Sequence, residues 1–117
     1  MKTTLEIMKE TAAVKTSIMT APTEDKNRIL TAMADRLVEA ADDILAANAL
    51  DMADAEGRLS TVMLDRLKLT EARIQGMADG IREVVKLPDP AWQITESHTR
   101  ADGLEITKTC VPLGVIA

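Results

Sequence analysis

The sequence predicts a mostly α-helical chain that passes into a β-hairpin and then into the first residues of a core strand, as one part of a larger α/β fold. Three observations predict it. Apolar residues recur at spacings of three and four through most of the chain. The dipeptide Asp102-Gly103, between two β-prone runs, then marks a hairpin turn. Last, the apolar run Val111-Pro112-Leu113-Gly114-Val115-Ile116-Ala117 reads as the start of a buried parallel strand, with no helix after it to carry a crossover. Residues 1–88 are therefore expected to form the helical part, 89–112 the ribbon and 113–117 the opening of the first core strand, cut short.

Each element has its own signal. Leu5, Met8 and Ala12, with Ile7, Val14 and Ile18 beside them, give a broad helical stripe over residues 4–20. Pro22 disfavours helix at the residue before it, and Thr23 is placed to cap the next helix, with Glu24 and Asp25 favoured in its first turn by the helix dipole. Over residues 24–47, Ile29, Met33, Leu37, Ala40 and Ile44, followed by Asn48, recur at spacings of three and four, and Leu30, Ala34, Ala41 and Leu45 widen the stripe. The stretch from Asn48 to Ala55 reads as a short helical extension or broken turn ended by Gly57. Ser60 is expected to cap a short helix holding Val62, Met63, Leu64 and Leu67. Thr70 is expected to cap another, with Ile74, Met77, Ala78, Ile81, Val84 and Val85 as its stripe. Pro88 and Pro90 stop that helix. Residues 92–99 and 104–112 then read as strands with mixed faces. A turn centred on Asp102-Gly103 sets Arg100 opposite Ile106 and His98 opposite Lys108, with Cys110 diagonal to His98.

Composition narrows the function classes. The chain has 117 residues, 19 acidic and 14 basic, for a net charge of −5. No basic block exists, which argues against a phosphate-backbone partner. With no Phe, no Tyr and Trp92 the single aromatic, the core must be aliphatic. The 7 methionines are scattered along the helices, as gap-filling residues are, rather than gathered as a recognition groove. No run approaches a membrane span, the first residues lack a signal-peptide core, and one cysteine cannot form an internal disulfide. A soluble, cytoplasmic protein is expected.

Candidate chemistry is sparse. Cys110 is the single thiol and His98 the single histidine. A pair on a ribbon, without pocket, oxyanion donors or orienting group, reads as ordinary strand residues. Asp51, Asp54 and Glu56 cluster near Gly57 but lack the ligand spacing of a calcium loop. Asp65-Arg66 offers a local ion pair or a helix-end contact of small energetic weight. Trp92 reads as a hydrophobic anchor where helix gives way to strand. There is no G-x-G-x-x-G and no P-loop. No catalytic residue and no metal ligand is assigned, and cofactor-binding residues stay undetermined.

One set of segments is nonetheless distinctive. Ala46-Ala47-Asn48-Ala49-Leu50-Asp51-Met52-Ala53-Asp54-Ala55, Leu59-Ser60 and Met63-Leu64-Asp65-Arg66-Leu67-Lys68-Leu69-Thr70 resemble the N-terminal region of the γ-glutamyl phosphate reductase (glutamate-5-semialdehyde dehydrogenase) family. The resemblance continues through Arg73-Ile74, Met77-Ala78, Gly80-Ile81-Arg82, Leu87, Asp89-Pro90, Gly103-Leu104 and Val111-Pro112-Leu113-Gly114-Val115-Ile116, and includes Lys26-Asn27-Arg28. It implies an aldehyde-dehydrogenase-like α/β fold. It also implies NADPH-dependent reduction of L-glutamyl 5-phosphate to glutamate 5-semialdehyde and phosphate, in proline biosynthesis, through a thioester on a cysteine. In the family that cysteine belongs to a later domain. Cys110 occupies a position that is usually basic in such sequences and departs from the pattern. By resemblance, the helices pack on the cofactor-binding domain and the hairpin joins strands used in homo-oligomer contacts. The chain is then expected to be the N-terminal part of such a reductase, inactive and binding no cofactor alone. The alternatives are a stand-alone helical interaction module, or part of another aldehyde dehydrogenase relative. Helices without their sheet are marginal, so the isolated chain is expected to be partly helical and prone to associate.

Overall fold

The computed structural model describes residues 2–116. Five helices precede a two-stranded antiparallel sheet: α1 (Thr4–Met19), α2 (Thr23–Glu39), α3 (Ala41–Ala55), α4 (Thr61–Leu67), α5 (Glu71–Val85), β1 (Ile94–Thr99) and β2 (Glu105–Thr109). The chain divides into two compact units. One holds the residues up to Lys26 together with those from Pro88 on, and the other is Asn27–Leu87.

In the first unit, α1 starts on a capping box that the Thr3-x-x-Glu6 spacing encodes. Thr3 Oγ1 accepts from the Glu6 N–H at 3.3 Å, and the Thr3 N–H donates to Glu6 Oε2 at 2.7 Å. That backbone donor holds the Glu6 carboxyl below its usual range. The helix ends one residue before the expected limit. Thr23 opens α2 but does not cap it with its hydroxyl, as the sequence led us to expect. The hydroxyl donates instead to Asp89 Oδ2 at 3.1 Å, while the Pro22 carbonyl accepts from Asp25 and Lys26.

The second unit has a small aliphatic core. Ala34 of α2, Ala55 of α3, and Ile74 and Ala78 of α5 are its buried apolar residues. Small side chains let helix backbones approach closely, so Ile74 is the one bulky side chain that the packing fully encloses. Arg82 of α5 bridges to Asp35 of α2 at 2.8 Å. Ser60 and Thr70 cap α4 and α5 as expected, accepting from the Met63 and Arg73 N–H groups at 3.4 and 3.2 Å.

The helix expected over 24–47 is two helices. The break falls at Ala40, which has φ −91° and ψ 10°. Neither Gly nor Pro marks it, and the hydrogen-bond ladder continues on both sides, from Ala40 N–H to Arg36 and from Ile44 N–H to Ala40. Met33, Leu37, Ala40 and Ile44 line one shallow hollow across the break. Periodicity reports which face is apolar, not the direction of the helix axis, so the pattern runs through the bend unaltered. Of the two readings of the stretch from Asn48 to Ala55, the helical extension is the one that forms, not the broken turn. The stretch is the second half of α3, left through Gly57 at φ 74°.

The hairpin forms where expected, but in another register. Its loop is three residues long, Ala101 to Gly103, with Gly103 at φ 86°. The Gly103 N–H donates to the Arg100 carbonyl at 2.9 Å, and the Arg100 N–H to the Leu104 carbonyl at 2.8 Å. His98 therefore faces Ile106 rather than Lys108, and Glu96 faces Lys108. A bulge lies between Ile94 and Glu96. Residues 113–116 carry no strand pairing, and Leu113 and Ile116 are exposed. A core strand requires a neighbouring ladder, and the one sheet among the described residues is β1–β2. Ala117, the last residue of the expected core strand, lies outside the described residues.

Candidate functional site

The most connected polar group of the first unit is Asp89. Its carboxylate accepts from Lys26 Nζ at 2.7 Å and from Thr23 Oγ1 at 3.1 Å through Oδ2, and from the Ala91 N–H at 2.9 Å through Oδ1. The Lys26 contact foremost, then the Ala91 N–H, holds this carboxyl below its usual range. The ion pair is only about one-fifth exposed, with side-chain accessibilities of 21% and 18%. Beside it, Trp92 adopts φ 66°, a region that side chains rarely tolerate. Its N–H donates to the Cys110 carbonyl at 2.8 Å and its indole Nε1 to the Met19 carbonyl at 3.0 Å. The expected hydrophobic anchor is thus half exposed and works through hydrogen bonds, one of which satisfies a carbonyl at the end of α1.

Asp89 supplies a pH-dependent prediction. A carboxyl whose folded pKa lies below its unfolded value stabilises the fold above the unfolded pKa, and that contribution is lost as pH falls through the folded pKa. Asp89→Asn should therefore be less resistant to urea than the parent at neutral pH. The gap should close as the medium is acidified below about pH 4, the ordinary aspartate range. Paired urea titrations across pH check this, and a gap independent of pH would contradict it.

Next to this cluster, Val14, Ile18 and Met19 of α1 and Pro90, Pro112 and Leu113 border an open, mainly apolar groove of about 530 Å³. None of α1 is buried.

The residues singled out by sequence do not converge. Cys110 is half-buried at the base of the hairpin, where its N–H donates to the Gln93 carbonyl at 2.9 Å. His98 sits toward the tip opposite Ile106, so the diagonal Cys–His neighbourhood does not exist. The loop lies one residue earlier than expected, at Ala101 to Gly103, and that moves each partner on β2 by two residues. Asp54 is paired with Arg58, and among the described residues no group of three or more His, Cys, Asp or Glu could hold a metal ion. Asp65 pairs with Arg73 rather than with its neighbour Arg66. The Arg73 guanidinium reaches the Asp65 carboxylate at 3.1 and 3.2 Å, the Lys68 carbonyl at 2.6 Å and the Asp65 carbonyl. Its charge holds the α4–α5 connection together. Among the described residues no helix is long and apolar enough to cross a membrane.

Asn48, which its spacing places on the apolar stripe, is the polar residue whose role the sequence did not reveal. It is the one buried polar residue among those described, 8% exposed. Its Nδ2 donates to the Leu67 carbonyl at 2.9 Å and its Oδ1 accepts from the Leu69 N–H at 2.8 Å. An Asn on the apolar face of a helix is the signal that could have found it.

Five helices leading into a ribbon are the architecture of one part of an aldehyde-dehydrogenase-like α/β enzyme. A crystal structure of γ-glutamyl phosphate reductase from Thermotoga maritima matches 92% of the chain with a TM-score of 0.84 at 33% identity, over 26% of its own chain. The γ-glutamyl phosphate reductase of Streptococcus suis (strain 05ZYH33) is 52% identical over 116 residues, 99% of this chain and 28% of that protein. The enzyme of the same name from Streptococcus pneumoniae serotype 19F (strain G54) is 57% identical over 111 residues, 95% of this chain and 26% of that protein. No family model matches. The chain is homologous to a part of γ-glutamyl phosphate reductase, and it spans about 28% of the length of the curated relatives it matches.

Proposed function

We propose that the chain is the N-terminal portion of a cytoplasmic, NADPH-dependent reductase. The whole enzyme converts L-glutamyl 5-phosphate to L-glutamate 5-semialdehyde and phosphate, in proline biosynthesis. The observation that carries this reading is identity of 52% to 57% over 95% to 99% of the chain with proteins named for that substrate. In this reading residues 1–88 form the helical part of the cofactor-binding domain, 89–112 an oligomer-forming ribbon and 113–117 the start of the first core strand. The exposed apolar run at Leu113, Val115 and Ile116 supports the last of these, because such a run is stable only when a sheet covers it.

Among the described residues no glycine-rich turn leads from a strand into a helix N-terminus, the arrangement that cradles a dinucleotide's phosphates. Gly76 and Gly80 lie inside α5, and Gly57, Gly103 and Gly114 do not lead from a strand into a helix N-terminus. In this reading the chain supplies no catalytic group, and the nicotinamide cofactor supplies hydride to the whole enzyme. What these residues contribute is scaffold: the Asn48, Asp89 and Arg73 contacts hold helices and connections in fixed places.

A chimera tests the reading. Exchanging the matching region of the Streptococcus suis reductase for this chain should leave NADPH oxidation with glutamyl phosphate within about tenfold of the parent, because buried positions that keep volume and pattern are tolerated. A folded chimera devoid of activity would sink the family placement. Clear turnover by the 117-residue chain alone would sink the scaffold role.

A further inference from the structure

We infer that Trp92 is a conformational lock between the end of α1 and the base of the ribbon, set in a backbone site built for glycine. The inference goes beyond the scaffold role by naming the side chain that couples the two elements. It rests on bonds inside the first unit alone.

Two local patterns meet at this residue. The Gln93 N–H donates to the Pro90 carbonyl at 3.3 Å, which makes Trp92 the third residue of a turn over residues 90–93. The Trp92 N–H donates to the Cys110 carbonyl at 2.8 Å, and the Cys110 N–H to the Gln93 carbonyl at 2.9 Å. Trp92 and Gln93 thus oppose the single residue Cys110, which is the pairing of a bulge, and φ 66° belongs to its first residue. A turn with positive φ at its third residue favours glycine, and so does a bulge with a left-handed first residue. Among the described residues Trp92 is the one non-glycine with positive φ. For a residue with a Cβ that region is disfavoured by roughly tenfold. Asp89 holds the turn from behind. Its Oδ1 accepts from the Ala91 N–H at 2.9 Å, and its carbonyl accepts from the Gln93 side-chain amide.

The tryptophan supplies a donor that glycine lacks. α1 ends at Met19, and the carbonyls of a helix's last turn have no intrahelical partner. Three residues beyond Met19 lies Pro22, which has no N–H for a tightened final turn. The indole Nε1 donates to the Met19 carbonyl at 3.0 Å instead, from 73 residues away in sequence. The left-handed turn carries the indole to α1, and the bond to α1 holds the turn left-handed. Each supports the other, so releasing one releases both the end of α1 and the base of the ribbon.

Amide hydrogen exchange of the full chain, read by NMR, tests this. Trp92 is the single tryptophan, so its indole N–H gives one signal. In the parent that proton should be protected, together with the Cys110 amide and the Thr20 and Ala21 amides that close α1 onto Thr16 and Ile18. Trp92→Phe keeps an aromatic ring and deletes the donor. It should speed exchange at Thr20, Ala21 and Cys110 together, by at least about fivefold, which is the lower end of the left-handed penalty no longer offset. Trp92→Gly also deletes the donor but relieves the backbone. Thr20 and Ala21 should speed up as before, while Cys110 stays near its parent rate. Trp92→Ala loses both, and its Cys110 amide should exchange roughly tenfold faster than in the glycine variant. That contrast guards against a variant that merely unfolds, because glycine is the less ordering residue at any site with negative φ. Glycine and alanine variants alike at Cys110 overturn the glycine site. Amides of α1 indifferent to Trp92→Phe overturn the tie. A parent chain whose indole and Cys110 protons exchange at free rates overturns the lock as a whole.

Discussion

Asn48→Leu should lower the unfolding free energy by about 3 kcal/mol, since each buried backbone group stranded without a partner costs about 1–3 kcal/mol. The residue it replaces is a clasp. From the middle of α3, one amide serves a carbonyl in the last turn of α4 and an N–H just beyond it, Leu67 and Leu69. Leu67 C=O is among the helix-end carbonyls that have no intrahelical partner, and the Leu69 N–H lies in the connection to α5. Leucine fills similar space and adds apolar surface, so a packing account predicts little change or a gain. A hydrogen-bond account predicts loss. Asn48→Asp separates the two partners. It keeps an acceptor for Leu69 but turns a carboxylate oxygen toward the Leu67 carbonyl, where the amide donor had been. It should therefore be at least as damaging at neutral pH and recover in part in acid. Urea denaturation followed by helical circular dichroism reads both. Unchanged stability in Asn48→Leu would remove the clasp from the account of this fold.

Ile74→Ala should cost about 2–5 kcal/mol, the range for emptying a large aliphatic site in a packed core. Ile74 is 1% exposed and is the bulky side chain that the second unit fully encloses. Its buried companions there are the alanines Ala34, Ala55 and Ala78, which have little freedom to swell into the space left behind. Ile74→Val removes a single methyl and should cost about 0.5–1.5 kcal/mol, which gives the pair a built-in scale. Met77, three residues along the same helix and 43% exposed, is the control. Met77→Ala should stay below about 1 kcal/mol, since half of its side chain already meets water. Since whole domains are stable by only about 5–15 kcal/mol, the Ile74→Ala chain should show its melting transition moved well down or lost. A loss no larger than that of Met77→Ala would mean that Ile74 is not the centre of the core.

Legibility in the sequence varied in a physically regular way. Helix ends were readable where a side chain satisfies its own neighbourhood. Ser60 and Thr70 cap as read, and Gly57 leaves α3 in the conformation that glycine permits. Thr23 failed because a distant acceptor, Asp89, competes for its hydroxyl. The bend at Ala40 was invisible because an apolar face continues through it. The hairpin's existence was readable from Asp102-Gly103, but not its register. The expected pairs put the loop at residues 102–104, the structure puts it at Ala101 to Gly103, and moving a loop by one residue slides every cross-strand partner by two. That slide is what separated His98 from Cys110 and dissolved the one candidate pair.

The candidate site divides in the same way. Segment after segment of the chain matches γ-glutamyl phosphate reductases, and the order of helices and ribbon follows from periods, caps and turn dipeptides. These are local facts, each settled within a few residues by backbone sterics and the spacing of apolar groups. The Asn48 clasp, the Asp89 cluster, the Arg73–Asp65 bond and the φ 66° of Trp92 are another kind of fact. Each joins groups whose partnership depends on where whole elements lie in space. A hydrogen bond reaches about 3 Å, so it forms only after packing has brought its two ends together.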